Sequence, residues 1–153
     1  MRKVLLILLI LFIFPGVASA VFTLGVNSGS IAFLGSVDPG TWTQNHTPTD
    51  LIATCTTDNG IPWHLSIEYD NELSNGLYTI PYPNFKCWGW RQSGGGTFNI
   101  PDGTSISLST TPFVAYDSSG SETAEIHFQF GVWVPEDTVA GTYTNQIILT
   151  MYE

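Results

Sequence analysis

Basic residues are almost absent from this chain. Its 153 residues include only four lysines and arginines against 13 aspartates and glutamates, and Arg2 and Lys3 stand at the very start. The other two, Lys86 and Arg91, lie close together in the middle. Nucleic acids and anionic membrane surfaces are bound by clusters of basic side chains. The sequence offers no such cluster and therefore predicts neither of them as a partner.

Cysteine is scarce as well, with Cys55 and Cys87 the only two. Their spacing fits no zinc-binding Cys/His cluster. Two thiols in one small domain usually pair in an oxidising compartment, so the sequence predicts a Cys55–Cys87 disulfide. This bond would close a loop of about 33 residues and add roughly 3–4 kcal/mol of stability. Two buried free thiols are the alternative.

The one long apolar run stands at the N-terminus. A cationic start, apolar Val4–Phe14 and the small residues Ala18-Ser19-Ala20 form the pattern of a secretory signal peptide over residues 1–20. The run is shorter than the roughly 20 residues that span a bilayer, which disfavours a membrane anchor. Cleavage leaves Val21–Glu153 as one domain, with two basic against 13 acidic residues and a net charge of −11 with neutral histidine. The predicted location is extracellular or on the cell surface, after periplasmic transit, with no membrane span.

Helical periodicity is missing from the predicted mature chain. Short runs of β-branched and aromatic residues alternate with turn signals such as Asp38-Pro39-Gly40, Asp58-Asn59-Gly60 and Asp102-Gly103. Ser93-Gly94-Gly95-Gly96 predicts a mobile loop or a hairpin tip. The pattern indicates an all-β domain, either a sandwich or a small barrel, and the unequal strand lengths favour the antiparallel sandwich. The predicted strands cover about 22–26, 30–35, 50–57, 62–69, 77–80, 84–91, 96–100, 104–109, 112–116, 123–134 and 142–152.

The clearest strand pattern is TAEIHFQFGVWV at 123–134. Apolar side chains at every second position predict a buried face, and polar ones between them predict an exposed face. The final strand shows a weaker version of the same alternation. The predicted inner residues are Ala124, Ile126, Phe128, Phe130, Val132 and Val134, then Tyr143, Ile147, Leu149 and Met151, and the outer ones are Glu125, His127, Gln129 and Trp133.

Three segments resemble secreted bacterial surface sandwiches. Ile31-Ala32-Phe33 with the following residues 35–40 is similar to their first strand and turn. The closing stretch, which contains Val134-Pro135 and Ala140-Gly141-Thr142-Tyr143-Thr144, resembles the last hairpin of the spore coat protein U and fimbrial-subunit group. Ile61–Ile67 resembles the second sheet of WxL-like cell-surface domains. The resemblance implies an immunoglobulin-like sandwich, exported to the envelope, with a structural or adhesive role.

No catalytic constellation stands out. The chain has no Gly-x-Ser-x-Gly nucleophile motif, and its histidines have no partner at a recognisable spacing. Glu68, Asp70 and Glu72 carry oxygen ligands that calcium accepts, but their spacing fits no EF-hand loop, and an acidic turn accounts for them equally well. The sequence therefore predicts no enzyme, no metal and no cofactor. The histidines are His46, His64 and His127.

FKCWGWRQSGGG, at 85–96, is the stretch with the strongest binding signal. In a strand, Lys86, Trp88 and Trp90 share one face, and Arg91 could lie over an indole ring. The rings are either a surface platform on which sugars stack or ordinary packing against a neighbouring strand. Lys86 tolerates burial poorly, which favours the surface. Candidate ligand-binding residues are thus Lys86, Trp88, Trp90 and Arg91; Trp42 and Trp133 raise the same question, and Asn45-His46-Thr47 forms a glycosylation sequon.

Two functions follow from these features. The leading hypothesis is a non-catalytic structural or assembly subunit of a surface layer, coat or fimbria, whose partners are other envelope or surface proteins, including further copies of itself. The alternative is a carbohydrate-binding or adhesive module that uses exposed tryptophans. Assembly by strand exchange requires an incomplete sandwich and a donor strand, for which Val21–Val26 is a candidate.

Overall fold

The computed structural model describes residues 20–33, 36–44 and 46–153. The predicted signal peptide lies outside these residues except for Ala20. Three further residues lie outside the described ranges. They are Leu34 and Gly35, which end the predicted strand 30–35, and Asn45, the asparagine of the predicted sequon.

The described residues form an all-β sandwich, as the sequence predicts. They contain no α-helix and a single short 3₁₀ turn at Tyr82–Asn84. Three two-residue strands escape prediction because so short a segment shows no alternation. The strands are β1 (Phe22–Val26), β2 (Ala32–Phe33), β3 (Trp42–Thr43), β4 (His46–Thr47), β5 (Leu51–Thr57), β6 (His64–Tyr69), β7 (Leu73–Ser74), β8 (Thr79–Ile80), β9 (Phe85–Ser93), β10 (Thr97–Phe98), β11 (Ile106–Ser107), β12 (Phe113–Asp117), β13 (Glu122–Trp133) and β14 (Ile147–Tyr152).

Two antiparallel sheets make up the sandwich. The six-stranded sheet has the order β1-β5-β13-β9-β11, with β3 also paired to β13. The four-stranded sheet has the order β10-β12-β6-β14, and β2-β4 and β7-β8 form two small ribbons. The sheets meet through side chains such as Tyr69 of β6 and Phe85 of β9, whose rings stack at 4.7 Å. The shared interior is the hydrophobic core.

β13 is the central strand of the larger sheet. Its alternation has the predicted sense, because every predicted inner side chain from Ala124 to Val134 is buried while Trp133 is exposed. Pairing on both sides, to β5 and to β9, holds the strand in this register. A one-residue slip would bring its polar face into the core.

The final strand is shorter than the predicted 142–152. It begins at Ile147, since the residues before it pair with another element. Thr144 exchanges two backbone hydrogen bonds of 2.9 Å with Ser74 of β7. The predicted inner face of Ile147, Leu149 and Met151 is only half-buried. The glycine run also differs from a hairpin tip, because it carries the chain from β9 in one sheet to β10 in the other.

The predicted disulfide is wrong. Cys55 lies opposite Ala124 and Cys87 lies opposite Phe130, and these two partners are six residues apart along β13. Both thiols are free and buried. A disulfide requires Cα atoms within about 7 Å of each other. The two cysteines point into the same core from strands on opposite sides of β13, too far apart along the sheet to bond.

Candidate functional site

The outer side of the six-stranded sheet carries four tryptophans. On β9, Phe85 and Cys87 are buried in the core, whereas Trp88 and Trp90 point outward and are half-buried. Trp42 of β3 and Trp133 of β13 are 42% and 44% exposed and lie opposite each other in the strand pairing. We call Trp42, Trp88, Trp90 and Trp133 the tryptophan face.

Trp42 bridges the face across β13 because of one glycine. The outward positions of β13 pass from Gln129 through Gly131 to Trp133, and a Cβ atom at Gly131 would lie 2.2 Å from the Trp42 ring. The missing side chain therefore lets the ring lie directly over the strand. In this position the centroid of the Trp42 ring is 6.4 Å from the centroid of the Trp88 ring. Gly131 joins rings from three strands into one surface.

A chain of hydrogen bonds runs beneath and beside the rings. The Trp88 indole N–H donates to Gln129 Oε1 at 2.6 Å, and Gln129 Nε2 donates to Asp50 Oδ1 at 2.7 Å. Asp50 Oδ2 lies 3.2 Å from Nδ1 of His127, whose Nε2 lies 2.8 Å from Glu125 Oε1. These bonds fix the orientation of each member. The sequence indicated that His127 and Gln129 face outward, but nothing in it connected them to Asp50 or to the tryptophans.

His127 also supports Trp90. The two rings stack with centroids 4.8 Å apart and planes inclined by 25°. The His127 side chain is only 12% exposed, so it forms the floor on which the Trp90 ring lies. Trp90 is thereby held flat against the sheet with its other face outward.

The two basic candidates have different positions. Lys86 lies on the tryptophan side of β9, and its ammonium group donates to Ser107 Oγ at 2.6 Å. Arg91 pairs with Ile126, whose side chain points into the core, so Arg91 lies on the opposite face from Trp90. Its guanidinium donates to the Gly96 carbonyl, and among the described residues no aromatic ring stacks with it. The expectation that Arg91 covers an indole ring is wrong, because strand alternation separates them.

Beyond Arg91, the glycine run is held in place. Gly95 N–H donates to the Glu122 carboxylate, and Gly96 N–H donates to the Tyr116 hydroxyl at 2.7 Å. Burial acts to raise the pKa of Glu122, but hydrogen bonds to its carboxylate outweigh this and hold the pKa below its usual value. The run predicted as a mobile loop is thus a bonded connection between the sheets.

The three histidines occupy separate places. The buried His46 contacts the Pro48 carbonyl through Nδ1 at 2.7 Å and accepts the Phe130 N–H through Nε2 at 3.1 Å. His64 Nδ1 lies 2.5 Å from Asp117 Oδ1 on the smaller sheet. Each ring is engaged in local structure.

The acidic turn after β6 is also engaged structurally. Asp70 Oδ1 accepts the Gln146 N–H at 2.9 Å, which ties this turn to the start of β14. Across residues 20–33, 36–44 and 46–153, no three His, Cys, Asp or Glu side chains are grouped so as to hold a metal ion. Glu68, Asp70 and Glu72 therefore do not form a shared ligand set.

A second surface feature is an apolar cleft of about 1220 Å³. Side chains from residues 24–33 and 36–39 form one wall, and side chains from residues 138–149 form the other. Six core side chains form its floor and keep 4–9% of their surface exposed, whereas every other buried hydrophobic residue keeps 1% or less. The core of the sandwich is thus less completely covered on this side than elsewhere. The floor residues are Leu51, Leu73, Ile80, Phe85, Val132 and Val134.

Two edge strands border this apolar cleft. Among the strands of residues 20–33, 36–44 and 46–153, β1 pairs only with β5 and β14 pairs only with β6, so each ends its sheet. Leu24 and Val26 of β1 and Ile147 and Leu149 of β14 line the cleft. An edge strand presents backbone N–H and C=O groups that a further strand can pair with. The sandwich is therefore open between its first and last strands.

Comparisons of this chain with protein-family models, curated proteins and solved structures find no match. The resemblance to surface sandwiches remains a prediction. Within the described residues, no helix has the length and apolar character required to cross a bilayer. The apolar cleft and the tryptophan face are the two surface features suited to binding another molecule.

Proposed function

We propose that this protein is an exported, non-catalytic β-sandwich that serves as a structural subunit of a bacterial surface layer, coat or fimbria. Its subunits associate when an extended strand of a second copy enters the apolar cleft. The observation that carries this proposal is an apolar cleft that lies between two edge strands, β1 and β14. A strand in the cleft would bury apolar side chains and pair with an edge at the same time.

The energetics favour such an occupant. Each Val, Leu or Phe side chain that an entering strand buries contributes roughly 1.5–3 kcal/mol. Alternate residues of a strand point the same way, so a short segment places several side chains on the cleft floor. The backbone N–H and C=O groups of the entering strand also pair with those of the edge strand. An edge strand left exposed would otherwise favour unspecific association.

The second copy is the occupant that the charges allow. The predicted mature chain carries a net charge of −11, which opposes self-association in general. Among the described residues that line the apolar cleft, however, Asp38 is the single charged one. Contact between copies at this place therefore avoids most of the repulsion.

The donor is the first strand. β1 is paired on one side only, and Val21, Phe22 and Val26 around it are 38–49% exposed. Leu24 and Val26 already form part of the wall of the apolar cleft in the monomer, so the apolar side of β1 suits this cleft. The β1 strand released by one copy enters the cleft of a second copy and pairs with the edge of its β14, where it makes contacts that the monomer lacks.

Val139→Glu tests the proposal. Val139 lies on the cleft wall and is 42% exposed, so the carboxylate can stay in water in the monomer. An entering strand would desolvate it, and we expect association to weaken by about tenfold or more. The measurement is molar mass by light scattering over a concentration series, supported by binding of a labelled peptide with the sequence of residues 21–30.

Leu77→Glu is the matched control. Leu77 is 88% exposed and lies outside the apolar cleft, so the same charge should leave association unchanged there. A wild-type protein that is monomeric at every concentration and does not bind the peptide would contradict the proposal. Equal effects of Val139→Glu and Leu77→Glu on association would also contradict the proposal.

A further inference from the structure

We propose that the tryptophan face is a binding site for an uncharged polysaccharide, separate from the apolar cleft used in assembly. No residue of the face lines the cleft, since the face covers the outer side of the six-stranded sheet and the cleft opens between the two sheets. The two sites can therefore be occupied together. This inference does not depend on the proposed strand exchange.

The arrangement of the rings provides the first argument. Trp133 adjoins Trp42 across the β3–β13 pairing, and Trp42 is 6.4 Å from Trp88. Trp90 follows Trp88 by two positions on the same side of β9, about 7 Å further along the strand. The rings thus form a row several sugar units long. Pyranose rings present C–H-rich faces that cover such flat aromatic surfaces, while their hydroxyl groups remain at the edges.

The polar groups beside the rings provide the second argument. Trp42 and Trp133 are 42% and 44% exposed, and their rings, like that of Trp90, each carry an indole N–H that can donate a hydrogen bond. Carboxylate oxygens of Asp50 and Glu125 lie next to the same surface. Donors and acceptors around an aromatic surface match the hydroxyl groups of a sugar, each of which both donates and accepts.

Rigidity provides the third argument. Trp88 is fixed through its N–H bond to Gln129, Trp90 lies on His127, and Trp42 is seated on Gly131. Side chains that are already held in place lose little conformational entropy when a ligand binds.

Charge selects the class of polysaccharide. Two acidic side chains, Asp50 and Glu125, lie beside the face, against one basic side chain, Lys86, which donates to Ser107. The net charge of the whole chain is strongly negative. Repulsion therefore disfavours uronate-containing or phosphate-containing polymers, and an uncharged glycan is the ligand that the site accepts.

Binding is tested with defined polymers. The purified protein is measured by depletion on insoluble cellulose and chitin, and by calorimetry and tryptophan fluorescence with soluble mannan and cellohexaose; polygalacturonate is the anionic comparison. We expect binding to at least one uncharged polymer and none to polygalacturonate. Failure to bind every uncharged polymer, or a preference for polygalacturonate, would overturn the proposal.

Substitutions locate the site. Trp42→Ala and Trp133→Ala should each weaken binding about tenfold or more, because both rings are exposed members of the row. Gly131→Ala should weaken it as well by displacing the Trp42 ring, although every tryptophan is retained. Leu77→Ala, at an exposed apolar residue away from the face, should bind like the wild type.

Fold and assembly are checked in the same variants. Circular dichroism and thermal unfolding confirm that each variant is folded before its affinity is compared. Unchanged glycan affinity in the folded Trp42→Ala and Trp133→Ala variants contradicts the proposal. A second contradicting outcome is that the wild type binds no glycan while Trp42→Ala and Trp133→Ala lose self-association. This outcome would identify the tryptophan face as a protein contact. Because Val139→Glu leaves the face intact, glycan binding in that variant separates this inference from the assembly proposal.

Discussion

Both cysteine thiols should remain reduced and unreactive in the folded protein, even without a reducing agent. The strand pairings place Cys55 opposite Ala124 and Cys87 opposite Phe130 on β13. Six residues of strand span roughly 20 Å, and the two cysteine strands are separated by two strand spacings of about 4.8 Å each. The Cα atoms are thus several times farther apart than the roughly 7 Å that a disulfide allows. Oxidation within one molecule would require unfolding.

Burial lowers the reactivity of each thiol further. The apolar surroundings raise the pKa of Cys55 from 9.0 to about 12, with a smaller contribution from the nearby Glu122 carboxylate. At pH 8 the thiolate fraction is then about a thousandfold smaller than for an ordinary cysteine. Burial also raises the pKa of Cys87. Because the thiolate is the reactive form, alkylation of Cys55 in the folded protein should be slower by about this factor, and that of Cys87 should be slowed as well.

Intact-mass analysis after iodoacetamide treatment at pH 8 measures this directly. The folded protein should gain no adduct over hours, and the protein in guanidinium chloride should gain two. Thr54→Cys is the matched control, because position 54 lies next to Cys55 on β5 and is exposed, so its thiol should react in the folded state. A mass two hydrogens lower without reductant, or rapid native alkylation at Cys55 and Cys87, would refute the strand pairing from which the distance is derived.

Two further predictions concern packing and pH. A Cβ at Gly89 would lie 2.2 Å from the His127 carbonyl oxygen, so Gly89→Ala should lower the free energy of unfolding, measured in urea, by about 1–3 kcal/mol. The control is Gly25→Ala, whose Cβ would have no atom closer than 3.9 Å and which should change the free energy of unfolding little. Equal losses of stability in the two variants would contradict the prediction. Glu122 has a lowered pKa in the folded state, so its contribution to stability is present above about pH 4.3 and is lost as pH falls through the lowered value. Glu122→Gln should therefore flatten the acid side of the stability profile measured by urea unfolding, and an unchanged profile would count against the bonds that Glu122 accepts.

The fold could be predicted because its signals are local. Alternation over 123–134 depends only on side-chain polarity and the two-residue period of a strand, and the structure buries that face as predicted. Turn chemistry is equally local, since Gly60 and Gly103 have φ values of +77° and +70° that other residues rarely adopt. The separation of Trp88 and Trp90 from Cys87 follows from the same period. The truncated final strand could not be predicted, because its first residues pair with a distant ribbon.

Residue order alone determined an all-β domain, its principal strands, its buried face on β13 and the placement of Trp88 and Trp90 on the strand face opposite Cys87. Tertiary structure alone decided that Trp88 and Trp90 lie on the outer side of the sheet, how far apart Cys55 and Cys87 lie, that Trp42 rests on Gly131, and that an apolar cleft lies between β1 and β14. The physical reason is that alternation specifies which side of a strand faces the core, whereas strand order and register specify its neighbours. Strand order and register are set only when segments that are distant in the sequence pair with each other.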